Sequence, residues 1–170
     1  MASGGWINKH IVEDLPVEHK KAYDQFNHAP MLVANVALTN WRFLEKLGIT
    51  AYQWKGGFGF HTNIRKPMHV GKYQPDLDPN KPITLTFYVS FEKTNQGLSA
   101  QQQSRIGQYE MLGKTYMQYE REIRQQMVKL FGGSGFDPKN DIAGIILNRW
   151  GHAYVTPTPG FFYSPDGGPG

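Results

Sequence analysis

Ile83-Thr84-Leu85-Thr86-Phe87-Tyr88-Val89-Ser90-Phe91 alternates apolar and polar side chains over nine residues. Side chains of a strand point to opposite faces in turn, so this period of two predicts a strand with one apolar face and one mixed polar and aromatic face. A different period follows. From Ser99 to Phe131 the apolar positions Ile106, Tyr109, Leu112, Tyr116, Tyr119, Ile123, Met127 and Leu130 recur at threes and fours, which predicts helix. Gly113 divides that region, and Thr115-Tyr116-Met117-Gln118 reads as a capping box that starts a second helix. Gly132-Gly133-Ser134-Gly135 stops it, Asp137-Pro138 turns, and Ile142 to about Val155 returns as a strand.

Upstream, Pro16 and Glu18 suit the start of a helix over Val17–Asn27, ended by Ala29-Pro30. Met31–Leu38 reads as a buried strand and Trp41–Leu47 as a short helix, capped by Thr39 or Asn40 and closed by Gly48. The aromatic, glycine-rich stretch 51–71 reads as irregular strands or loop, and 73–82 as a turn-rich excursion. Strands and helices in this order predict an α+β fold, with a mixed, mostly antiparallel sheet covered by helices.

The 170 residues are 39% hydrophobic, enough for one domain with a small annex. There are no cysteines, which excludes disulfide scaffolds, thiolate metal sites and cysteine nucleophiles. The formal charge is +4 from 18 basic and 14 acidic residues, spread without a Lys/Arg block, whereas a nucleic-acid groove needs a concentrated basic face. The longest apolar run, Ile142–Leu147, is far below the ~20 residues of a bilayer span. No export signal is visible at the N-terminus. Mean hydropathy is −0.52 although charged residues make up only 19%, so the polarity comes largely from Gln, Asn, Thr, Ser and His.

Several motifs fail on inspection. Gly57-Phe58-Gly59-Phe60-His61-Thr62 lacks the third glycine of a dinucleotide fingerprint and leads to Arg65-Lys66-Pro67 rather than to a helix. Gly132–Gly135 follows a helix, and the negative end of a helix dipole repels phosphate. The six histidines, His10, His19, His28, His61, His69 and His152, lack the paired spacing of a zinc site, so no metal is expected. No serine sits in a nucleophile elbow. Glu120 and Glu122, alternating with Arg121 and Arg124, read as solvated ion pairs.

Asn148-Arg149-Trp150-Gly151-His152-Ala153-Tyr154 stands apart. On a strand, Trp150, His152 and Tyr154 share one face. Three rings in line, interleaved with small residues, form a wall for a planar or cationic ligand. The plainer reading packs the same rings as core on the second helix.

That segment also carries a resemblance. It joins Tyr119-Glu120-Arg121-Glu122-Ile123-Arg124-Gln125-Gln126-Met127, then Gly132-Gly133-Ser134-Gly135-Phe136-Asp137-Pro138 and Asp141-Ile142-Ala143. Upstream stretches agree: His10-Ile11-Val12-Glu13-Asp14-Leu15-Pro16, Ala29-Pro30-Met31, Asn35-Val36-Ala37-Leu38 and Asn40-Trp41. Together they resemble the bacterial FAD-dependent spermidine dehydrogenases of the flavin amine oxidase superfamily, from about residue 3 to residue 156. The resemblance implies that 1–156 is the substrate-domain portion of a flavin oxidoreductase and 157–170 a Pro/Gly-rich tail. It implies that the N-terminal pyrophosphate loop and the C-terminal flavin-contacting segment lie elsewhere, with Ser3-Gly4-Gly5 as a point where the flavin part hands over.

The implied function is the substrate-side subunit or portion of an FAD-dependent amine, polyamine-type oxidoreductase, active only with FAD-binding segments supplied by other chains. The alternative is a non-catalytic scaffold subunit derived from that domain. Hydride would pass from the carbon beside nitrogen to flavin, with a neutral amine as donor. By the same resemblance His152 is the catalytic candidate, Trp150 and Tyr154 bind substrate, and Trp41 and Asn35 support them from the strand–helix junction. Gly151 departs from the proline expected in spermidine-type relatives. FAD is the implied cofactor; haem has room in the resemblance but no residue pattern indicates it. The implied partners are the flavin-carrying subunits and a small amine, with neither nucleic acid nor a membrane span, and the implied compartment is the periplasm.

Overall fold

The computed structural model describes residues 4–65, 68–91 and 93–163. The fold is α+β, with a five-stranded antiparallel sheet in the order β2-β3-β4-β1-β5. Its strands are β1 (His28–Leu38), β2 (Ala51–Gln53), β3 (His61–Ile64), β4 (Ile83–Ser90) and β5 (Ile142–Val155). The helices are α1 (Gly5–Ile11), α2 (Val17–Asp24), α3 (Arg42–Leu47), α4 (Ala100–Gly113) and α5 (Tyr116–Phe131). By contacts the chain divides into two compact units: Met1–Met31, Phe91–Met111 and Trp150–Gly170 form one, Leu32–Ser90 and Leu112–Arg149 the other.

The second unit holds the main core. Leu85, Phe87, Ala34, Val36 and Leu38 alternate onto one face of the sheet, where Ile123, Met127 and Phe131 of α5 join them. Each fully buried aliphatic or aromatic side chain contributes about 1.5–3 kcal/mol. Phe131 packs at 4.9 Å from Phe43 and 5.4 Å from Tyr52, ring centroid to ring centroid, in tilted and edge-on geometry. Helix α5 begins in the predicted capping box. Thr115 Oγ1 accepts from the Gln118 amide at 3.3 Å, while Gln118 Oε1 accepts from the Thr115 amide at 2.7 Å. Its outer face carries Arg124–Glu120 at 2.8 Å and Lys114–Glu122 at 2.9 Å, half-exposed pairs of small energetic weight.

The stretch 51–71, expected to be irregular, contains a regular hairpin. Strands β2 and β3 pair antiparallel with Tyr52 opposite Thr62. The glycine loop between them is clamped by Gln126, which is buried on α5. Its Oε1 accepts from the Gly59 amide at 2.7 Å and its Nε2 donates to the Gly59 carbonyl at 3.0 Å. The loop therefore feeds a strand and is tied by a side chain, the opposite of a phosphate cradle.

Asp141 joins the two ends of the unit. Its Oδ1 accepts from Asn40 Nδ2 at 2.7 Å, its Oδ2 from the Asp137 amide at 2.9 Å, and its carbonyl from the Thr39 amide at 2.9 Å. Asn40 also accepts from the Arg42 amide at 3.4 Å. Helix α3 starts one residue later than predicted, with Trp41 at its N-cap, and Gly48 closes it at φ 65° as expected.

In the first unit the chain departs further from the sequence reading. Helix α2 ends at Asp24, and β1 already runs from His28 through Pro30. The predicted apolar stripe of the first long helix is also corrected. Ile106, Tyr109 and Leu112 are exposed, and α4 packs through Gly107 and Met111 instead. A Cβ on Gly107 would lie 2.6 Å from the Phe91 carbonyl oxygen and 3.0 Å from Pro30 Cγ. The helix thus approaches along its smallest residue. Gly113 is the last helical residue and has no positive φ.

In the predicted tail, 157–163 forms a turn at Gly160, φ 87°, and Phe161 lies 5.6 Å from Phe26. Of the handover read at Ser3-Gly4-Gly5, Gly4 and Gly5 open α1, while Ser3 and the remainder of the tail, 164–170, lie outside the described residues. No helix among the described residues is long and apolar enough to cross a membrane.

Candidate functional site

Strand β5 carries the predicted ring series into the first unit. Trp150, His152 and Tyr154 are all exposed, while Gly151 and Ala153 between them are half-buried. Trp150 and Tyr154 keep 58% and 61% of their surface, so neither is packed as core. Among the described residues neither has a ring partner. His152 differs. Its ring lies 4.4 Å from Trp6 of α1, tilted by 32°, and 5.7 Å from His28 of β1, nearly perpendicular at 81°.

These three rings sit in a cleft of about 210 Å³ whose remaining walls are Phe26, Asn27, Gln101, Ser104, Arg105 and Gln108. Residues 101, 104, 105 and 108 follow the i, i+3, i+4, i+7 spacing of a helix and present one polar stripe of α4 to the cleft. Two hydrogen bonds hold the walls together. Gln108 Nε2 donates to the Gly151 carbonyl at 2.8 Å, and the Thr156 amide donates to the Asn27 carbonyl at 2.6 Å.

His28 is buried, and burial pushes its imidazole below the usual range. The charge of His152 pushes the same way, and the Phe26 backbone acts weakly against both. A charge on His152 therefore opposes protonation of His28.

The other two predicted residues belong to the second unit. Asn35 lies on the sheet face opposite α5. Its Oδ1 accepts from Thr86 Oγ1 at 2.8 Å, and Thr86 Oγ1 accepts from Arg65 Nε at 3.0 Å. His61 and Asn63 of β3 share that face, paired in register with Tyr88 and Thr86. Trp41 packs half-buried against the core, and its amide donates to the Pro79 carbonyl at 2.8 Å. Trp41 therefore serves the packing of α3, whereas Asn35 belongs to a polar network.

The sequence reading missed Trp6, His28 and the polar stripe of α4 as companions of His152. The stripe was visible in the spacing of Gln101, Ser104, Arg105 and Gln108. Trp6 and His28 left no local signal, because strand pairing and helix docking place them. The chain matches no known family model, and no curated protein matches it.

Proposed function

We propose that the chain is the substrate-side portion of an FAD-dependent amine oxidoreductase, with His152 at the amine. The observation that carries this reading is the seating of His152 in an aromatic cleft, 4.4 Å from Trp6 and 5.7 Å from His28. Hydride donation needs an amine with a free lone pair. Trp6 and Phe26 supply flat apolar walls, and Arg105 with the two imidazoles disfavours an ammonium ion beside them. His152 is positioned to accept a hydrogen bond or a proton from the amine nitrogen. The stripe on α4 orients the remainder of the molecule.

The described residues do not fit the dinucleotide. The Gly57–Gly59 loop runs into β3 and is filled by the Gln126 amide. Gly132–Ser134 sits at the negative end of α5. FAD is therefore assigned to segments supplied by other chains, and no residue here is given a role on it. The test is reconstitution with FAD-binding segments of the superfamily. The wild-type chain restores amine-dependent dye reduction, and His152→Gln lowers it at least 100-fold, on the scale of a lost acid–base group.

The exposure of Trp150 and Tyr154 favours a second reading, a scaffold subunit that docks through this strand. Under that reading His152→Gln leaves the activity of the assembly intact, while Trp150→Ala weakens assembly.

A further inference from the structure

The cleft around His152 has a one-sided chemistry. Of the nine described residues that line it none is acidic, and three, His28, Arg105 and His152, can carry positive charge. Asn27, Gln101, Ser104 and Gln108 add side chains able to donate hydrogen bonds. Arg105 has no carboxylate partner among the described residues. Among the described residues, the acids of this unit lie outside the lining of the cleft. Asp24 is held by Lys9 and Glu110 by Lys93, while Glu13, Asp14 and Glu18 are exposed in and around the α1–α2 turn. A second ammonium group, as in a diamine or polyamine, finds no counter-charge among the described residues of the cleft. A carboxylate finds a planar guanidinium, whose fork matches its geometry, and two imidazoles.

We infer that this cleft binds a carboxylate through Arg105, assisted by His28, with the ligand's carbon skeleton against Trp6 and Phe26. Resting on the function proposed above, this makes the substrate class an amino acid rather than a diamine or polyamine. The amine lies at His152 and the acid at Arg105. The basic groups facing the ligand's acid end are Arg105 and His28.

The test compares two probes of similar length on the 170-residue chain, 4-aminobutyrate and 1,4-diaminobutane, with inorganic phosphate as a third. Binding is read from the imidazole C2–H signals of His28 and His152, assigned with His28→Gln and His152→Gln. The expected result is at least 10-fold tighter binding of 4-aminobutyrate than of the diamine. Arg105→Gln, on an exposed helix face, leaves the fold's amide spectrum unchanged and removes at least 10-fold of that affinity.

Equal or tighter binding of the diamine overturns the inference, as does an acid affinity indifferent to Arg105→Gln, or no binding of any probe. Phosphate binding tighter than that of 4-aminobutyrate overturns the assignment to a carboxylate. The flavin assay is separate. Acid binding without dye reduction by any amine keeps the anion cleft and rejects the proposed function. Dye reduction without acid preference does the reverse.

Discussion

His28 and His152 stand 5.7 Å apart, ring centroid to ring centroid, with their planes at 81°, one buried on β1 and the other exposed on β5. Among the described residues neither ring has a carboxylate beside it in the cleft they line. A charge on His152 thereby opposes protonation of His28.

That coupling sets a pH dependence. Burial first, and then the charge of His152, lower the pKa of His28. A base with a depressed folded-state pKa contributes stability fully present above its unfolded value, about 6.5, and lost as the pH falls through the folded value. Thermal unfolding followed from pH 8 to pH 5 therefore shows a falling Tm in the wild type and a flatter profile in His28→Gln. In His152→Gln the His28 C2–H titration moves back up toward the usual imidazole range.

Gly107 and Gly113 on α4 give opposite results on replacement by alanine. A Cβ at 107 meets the Phe91 carbonyl oxygen at 2.6 Å, and backbone cannot swing aside. Gly107→Ala is expected to destabilise by about 1–3 kcal/mol, the usual cost of overpacking. At 113 nothing lies within 4 Å and φ is not positive, so Gly113→Ala stabilises by about 0.5–1 kcal/mol through helix propensity. Urea midpoints at constant m-value read both changes.

Gln126 tests the glycine loop. Gln126→Leu keeps bulk but strands the buried Gly59 amide and carbonyl. A loss of about 1–3 kcal/mol per unsatisfied group is expected. Faster amide exchange at Gly59, relative to the centre of β4, locates the effect in the loop.

Phe131 tests the core. Its ring is 1% exposed and packs against Phe43, Tyr52 and Phe136. Phe131→Ala costs about 3–5 kcal/mol, a large part of the total stability of a domain this size. Chemical denaturation measures it.

Local chemistry made much of the fold legible in the chain. The alternation of Ile83–Phe91, the capping box at Thr115, the left-handed Gly48 and the long strand from Ile142 are each decided within a few residues. There, the period of a strand, the orphan amides of a helix start and the sterics of positive φ act at short range. Helix faces were legible where one apolar stripe dominates, as in Tyr119, Ile123 and Met127. They were not in α4, where Gly107 packs because backbone and Pro30 need the room and Tyr109 is left exposed. The exposure of Trp150 and Tyr154 and the meeting of His152 with Trp6 and His28 belong to the packed molecule. They join residues up to 146 positions apart, and no local preference of either residue encodes such a distance.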